Sequence, residues 1–213
     1  MKAKPLVGLI DTGTSNIKSV YYALQESNVD ILHIQKYKDI DKKIKAIVVP
    51  GIGSFGYVMQ KIKEDNLDQF IIESIKFGTQ SLFICVGMQI LFSKSKEFGL
   101  FNGLDLFKGD VERLNKNNEK NTQIKVPFIG WNKLKKKKDS KILRNISNDE
   151  FFYFTHSYYV KPKNESIISS FTEYSGFDYC SSISDKNIHA VQFHPEKSGK
   201  SGLKIYKNFV EMI

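Results

Sequence analysis

Cys85 and the segment His194-Pro195-Glu196 are the residues of this chain whose types and places could do covalent chemistry. Cys85 stands in 81-SLFICVGMQILF-92, where a short apolar run gives way to apolar residues at helical spacing, Val86, Ile90 and Leu91. A side chain at a sharp strand-to-helix turn is lifted above the carboxyl edge of a sheet, and the free N–H groups of the following helix face it. On a thiol, that arrangement favours the thiolate. Gly87 leaves room for the turn and for an approaching substrate, and the Val86 N–H would be one oxyanion donor. The competing reading is a free cysteine that only fills core.

A thiol nucleophile also needs a base and a group to orient that base. The chain has four histidines, at 33, 156, 189 and 194. His33 and His189 lie inside strand-like stretches and read as structural. His194 follows the strand-like AVQF, at a strand end, where α/β enzymes place catalytic groups. Glu196, two residues on in a segment read as extended, points to the same side and can hold the other ring nitrogen. The Gly-rich 50-PGIGSFG-56 lacks the Lys-Ser/Thr ending of a phosphate-binding loop. Beside a cysteine nucleophile, Gly51 and Ile52 could supply a second oxyanion N–H.

Such residues must be carried by a sheet whose strands end on one edge. Apolar runs and helical spacing predict strands over 5–10, 29–34, 46–49 and 81–85, alternating with helices over 17–25 and 57–77 and a helix from Val86. The rhythm argues for an α/β fold with a doubly wound, mainly parallel sheet and flanking helices. The second half reads differently, with strands over 109–114, 125–129, 149–160, 167–174 and 178–184, as antiparallel additions would give. A strand over 188–193 and a helix over 203–212 close the chain, and 115–121 reads as an exposed loop. One continuous domain over 1–213 is expected.

The composition is that of a globular protein: 213 residues, 41% hydrophobic and 26% charged. No apolar run approaches the ~18 residues of a membrane span, and the N-terminus reaches Asp11 without a signal-peptide pattern. Cys85 and Cys180 are too far apart in sequence to read as a zinc or disulfide motif, so a reduced, cytoplasmic protein is expected, with no membrane association. The net charge of +9 is mostly scattered lysine, and only 134-LKKKK-138 forms a run. Without an arginine or aromatic cluster, a solvated surface is the reading and nucleic acid is not an expected partner. A basic rim for an acidic protein or a phosphorylated substrate remains open.

Together the segments 11-DTGTSNIKSV-20, 49-VPGIGSFG-56, 84-ICVGMQILF-92, 126-VPFIGWNKL-134, 153-YFTHSYYV-160, 191-VQFHPEKS-198 and 207-KNF-209 resemble the class I (triad) glutamine amidotransferases. Among these the GWN and HSYYV segments resemble the branch of glutaminase subunits that serve imidazole glycerol phosphate synthases in histidine biosynthesis. The resemblance implies that family's fold, with a flavodoxin-like core. It implies Cys85 as nucleophile, His194 as acid/base and Glu196 as orienter, with Gln89, Ser157 and Tyr158 holding glutamine and Gly51 and Ile52 near the oxyanion. It implies hydrolysis of glutamine to glutamate and ammonia with no metal or organic cofactor. The partner it implies is a (β/α)8-barrel cyclase in a heterodimer, fed through an internal ammonia channel, with Asn16 and Trp131 near the docking face. A lone tryptophan has an equal reading as core.

Two positions depart from the family pattern: Phe83 stands where the family has glycine two residues before the nucleophile, and Ser15 replaces a glycine in 13-GTSN-16. They keep open a paralogous subunit supplying ammonia to a sugar amidotransferase of surface-glycan assembly. A catalytically silent binding protein on the same fold and a stand-alone γ-glutamyl hydrolase are the other readings.

Overall fold

The computed structural model describes residues 3–13, 16–39, 43–114 and 125–213. Ser15 and the expected loop over 115–121 lie outside the described residues. In the first half, β1 (Leu6–Ile10), α1 (Ile17–Gln25), β2 (Asp30–Ile34), β3 (Ala46–Gly51), α2 (Phe55–Glu64), α3 (Leu67–Lys76), β4 (Gln80–Cys85) and α4 (Val86–Ile90) follow one another. The expected single helix over 57–77 is two, α2 and α3. Asn66 between them takes a left-handed conformation at φ 56°, which asparagine tolerates better than most residues and which no helix continues through. The helix expected from Val86 is only five residues long.

The second half holds β5 (Phe92–Ser95), β6 (Phe101–Asn102), β7 (Phe107–Arg113), β8 (Phe128–Lys133), β9 (Lys135–Lys136), β10 (Phe151–His156), β11 (Tyr158–Pro162), β12 (Ile168–Tyr174), β13 (Phe177–Asp185), β14 (Ile188–Val191) and the closing α5 (Gly199–Val210). The main sheet runs β2-β1-β3-β4-β14-β13-β12-β9. Its first five strands are parallel, and β13, β12 and β9 extend it antiparallel. Separate sheets pair β8 with β10 and order β11-β7-β5-β6. The strand expected over 149–160 is therefore two strands in different sheets, and the break falls at Ser157. The strand expected over 125–129 begins at Phe128 and carries Gly130-Trp131-Asn132 within it, because Pro127 has no N–H to give a ladder.

The parallel strands β1, β3, β4 and β14 are largely buried on both faces because helices cover both, whereas Asp30 and His33 of the edge strand β2 are exposed. Val48, Val49, Leu82, Phe83, Ile84, Ala190 and Val191 are all fully buried. Phe83 finds its space in this core, paired across the sheet with Val49 on one side and the small Ala190 on the other. Lys135 and Lys136 of the lysine run form the edge strand β9, where charge guards unpaired backbone groups. The run's lysines are engaged within the chain: Lys135 with Asp178 at 2.8 Å, Lys137 with Glu165 at 2.7 Å, Lys136 with the Ile146 carbonyl, and Lys138 with the carbonyls of Ser166 and Ser184. Among the described residues no helix is long and apolar enough to cross a membrane.

Candidate active site

Register brings the predicted residues to one edge. Gly51 ends β3 directly opposite Cys85 at the end of β4, and β14 lies on β4's other side and runs into His194. Cys85 caps the strand-to-helix turn with φ 55° and ψ −110°, a region sparsely populated by any residue with a side chain. Such strain persists only where the surroundings enforce it and clusters at functional sites. Gly87 is part of the enforcement, since a Cβ there would lie 2.1 Å from the Val49 carbonyl oxygen.

His194 is 1% exposed, and its Nδ1 pairs with Glu196 Oε1 at 2.7 Å. The connecting residues form a 3-10 turn (Pro195–Lys197) rather than the extended segment read from sequence, and that turn folds Glu196 back under the imidazole. Cys85 lies close enough to act on the imidazole both electrostatically and as a hydrogen-bonding neighbour, although Nε2 makes no hydrogen bond of normal geometry. Burial alone would lower the imidazolium's pKa. The charge and proximity of Cys85, followed by the bond to and charge of Glu196, outweigh burial and raise His194 to about 10. This histidine is a proton donor at neutral pH.

A cavity of ≈ 250 Å³ opens beside the sulfur, lined by Ile52, Gly53, Val86, Gln89, Glu97 and Tyr158 among others. Ser157 also lines it, whereas Gly51 is buried behind and not part of the wall. Gln89 is committed: its amide donates to the Tyr158 carbonyl at 2.9 Å and to Gln192 Oε1 at 3.1 Å. Gln192 in turn donates to the Cys85 sulfur at 3.5 Å.

Three contributors escaped the sequence reading. Gln192 shares a face with His194 at strand spacing, which was the available signal. Glu97 comes from the end of β5, caps α2 by accepting from the Phe55 N–H at 2.7 Å, and faces the cavity. Burial raises its pKa, with the Phe55 bond opposing. His156 is fully enclosed and neutral: burial pushes it down to about 4, against the bond to the Tyr158 carbonyl. A neutral imidazole that donates from Nδ1 to that carbonyl at 2.9 Å leaves Nε2 to accept from the Tyr179 hydroxyl at 3.2 Å. This fixes the turn that presents Ser157 and Tyr158.

Two buried histidines also set the acid response of the fold. His156 and His189 are each held near 4 against an ordinary 6.5, in both cases chiefly by burial. Protonation therefore favours the unfolded chain, and stability present above pH 6.5 is lost as pH falls towards 4, by up to about 3 kcal/mol per histidine. His194 has the opposite sign, its contribution being complete below 6.5 and lost as pH rises towards 10. The urea midpoint is expected to drop on going from about pH 7 to about pH 5, and His189→Gln to remove roughly half of the histidine share of that drop. An unchanged slope in the variant would show that His189 is protonated in the fold.

Asn16 stands half-buried at the start of α1. Trp131 is 53% exposed, which overturns its reading as a core residue. It packs edge-to-face on Tyr153 at 5.8 Å, and Lys197 lies over the Tyr153 ring. This ridge runs from open surface to the rim of the cavity. His33 is not enclosed either, pairing with Asp11 at 2.9 Å at the ends of β1 and β2. Among the described residues no group of three or more His, Cys, Asp or Glu could hold a metal ion.

A family model described as glutamine amidotransferase class-I matches residues 8–213. The imidazole glycerol phosphate synthase subunit HisH of Chlorobaculum tepidum is 37% identical over 97% of this chain and 100% of its own length. Its counterpart from Caldanaerobacter subterraneus is 41% identical over 98% of each. Among solved structures, one described as a glutamine amidotransferase superposes with a TM-score of 0.73 at 14% identity, over 97% of both chains, a likeness of fold.

Proposed function

The chain belongs to the class I glutamine amidotransferases, and from that premise we propose that it is the glutaminase subunit of an imidazole glycerol phosphate synthase in histidine biosynthesis. The observation that carries the chemistry is the strained Cys85 beside the charged, Glu196-paired His194. The Cys85 thiolate adds to the side-chain amide carbon of glutamine, and the oxyanion takes N–H groups of Val86 and the Gly51-Ile52 segment. His194, held by Glu196, gives its proton to the departing nitrogen, which leaves as ammonia. Now neutral, His194 takes a proton from water, the hydroxide adds to the thioester, and glutamate leaves with the thiolate restored. Gln89, Ser157 and Tyr158 form the wall on which glutamine lies, and the Glu97 carboxylate is placed to take its α-ammonium group.

Ammonia released to water is lost, so the subunit works on a synthase. The partner proposed is a (β/α)8-barrel cyclase in a cytoplasmic heterodimer, seated over the cavity with Asn16 and Trp131 at its docking face and ammonia passing inside the complex. An exposed tryptophan packed edge-to-face on a second aromatic is the kind of anchor that dominates interfaces. Glutamate release should rise by orders of magnitude when the cyclase and its ribonucleotide substrate are added. Trp131→Ala should weaken the complex by about 2 kcal/mol while leaving the melting temperature of the isolated chain unchanged. A chain whose turnover ignores the cyclase, with Cys85 still reactive, would serve another synthase.

A further inference from the structure

The relay does not end at Glu196. Its Oε1 is used by His194, but Oε2 is buried without a hydrogen-bond partner. A second buried polar atom in the same state is the hydroxyl of Tyr206, on α5. One is an acceptor and the other a donor, and leaving either unmatched in a core is costly. The packing brings their elements together. Gly202 presses α5 against the turn that carries Glu196, so closely that a Cβ at 202 would sit 1.8 Å from the Pro195 carbonyl oxygen. Tyr206 follows four residues later on the same helix face, and the Glu196 charge adds to the burial that raises its phenol well above the usual range.

Resting on the reading of Cys85, His194 and Glu196 as the catalytic relay, we propose that Tyr206 is a positioning residue for it. Its hydroxyl, across one buried water, donates to Glu196 Oε2 and locks the carboxylate in the orientation that receives His194 Nδ1–H. Glu196 is bonded to His194 of its own turn and coupled by charge to Tyr206 of α5, while Lys197 extends over Tyr153 at the rim. Burial and the Glu196 charge both disfavour ionising this phenol, so it stays a donor, which a carboxylate needs if it is to hold a cation steady.

The test is the pH dependence of Cys85 alkylation by iodoacetamide, followed on the Cys85 peptide by mass, in the wild-type chain and in Tyr206→Phe, Tyr206→Leu and Glu196→Gln. Tyr206→Phe keeps the ring and its packing, so its melting temperature should fall less than that of Tyr206→Leu. Its alkylation midpoint should nevertheless move in the direction of Glu196→Gln, with glutaminase kcat in the complex down roughly tenfold and KM for glutamine little changed. Tyr206→Leu should show the same midpoint at a lower melting temperature, so that the midpoint follows the hydroxyl and not the packing. If both Tyr206 variants retain the wild-type midpoint while Glu196→Gln shifts it, the Tyr206 assignment is wrong. If Glu196→Gln does not shift it either, the relay itself is wrong and the assignment falls with it.

Discussion

Cys85→Ala is expected to leave no measurable glutamate release from glutamine, a loss of at least about 10⁴-fold. Removing the thiol removes the covalent route, and neither His194 nor the oxyanion donors can replace an absent nucleophile. In the proposed complex, synthesis from added ammonia should continue near the wild-type rate, because the proposed synthase chemistry does not pass through this cavity. Glutamine-dependent synthesis surviving in the variant would overturn the assignment. The same position carries a second expectation that depends on backbone alone. Alanine keeps a side chain in the unfavourable φ 55° conformation, whereas glycine accepts it freely. Cys85→Gly should therefore be more stable than Cys85→Ala by about 1 kcal/mol, the reverse of the usual order in a strand or helix. Equal stabilities in thermal melts would mean that the turn is not strained in solution.

What the sequence made legible were features written in consecutive residues. The turn at Cys85 follows from a change of period within twelve residues, and the strand ends at Gly51 and His194 follow from apolar runs that stop at glycine and proline. The parallel half of the sheet was readable because its inner strands are apolar on both faces and β2 alternates. Features set by pairing across long separations were not. Nothing local in 149–160 says that Phe151–His156 pairs with β8 while Tyr158–Pro162 pairs with β7, and the break that presents Ser157 arises only from that division. The lysine run looked like free charge because Asp178, Glu165 and the accepting carbonyls of Ser166 and Ser184 are remote in sequence. Glu97 and Tyr206 gave no signal, as each reaches the site from an element that the sequence alone does not place. Trp131 was ambiguous for a related reason: a strand paired on one edge in a two-stranded ribbon exposes residues that a central strand would bury.

Gly87→Ala should slow the enzyme about a hundredfold and destabilise the fold, although residue 87 carries no chemical group. The added methyl would meet the Val49 carbonyl oxygen at 2.1 Å, well inside contact distance. Neither side can yield easily. Val49 is held in β3 between β1 and β4, and residue 87 is the second residue of the turn and a half of α4 that separates Cys85 from the core residues Ile90 and Leu91. Relief must come from moving the first turn of α4, which carries the Val86 N–H and swings the Cys85 sulfur with it. A displacement of about 1 Å at reacting atoms costs on the order of 10²-fold in rate, and forced overpacking costs about 1–3 kcal/mol in stability. Both losses are expected together, in kcat and in the thermal melt. Gly130→Ala supplies the comparison, since a Cβ there meets only the Phe128 ring, at an ordinary 3.4 Å. It should melt within about 0.5 kcal/mol of wild type. A Gly87→Ala chain with wild-type kcat would show that α4 can shift without carrying the sulfur out of line, and the strained turn would then not be what positions the nucleophile.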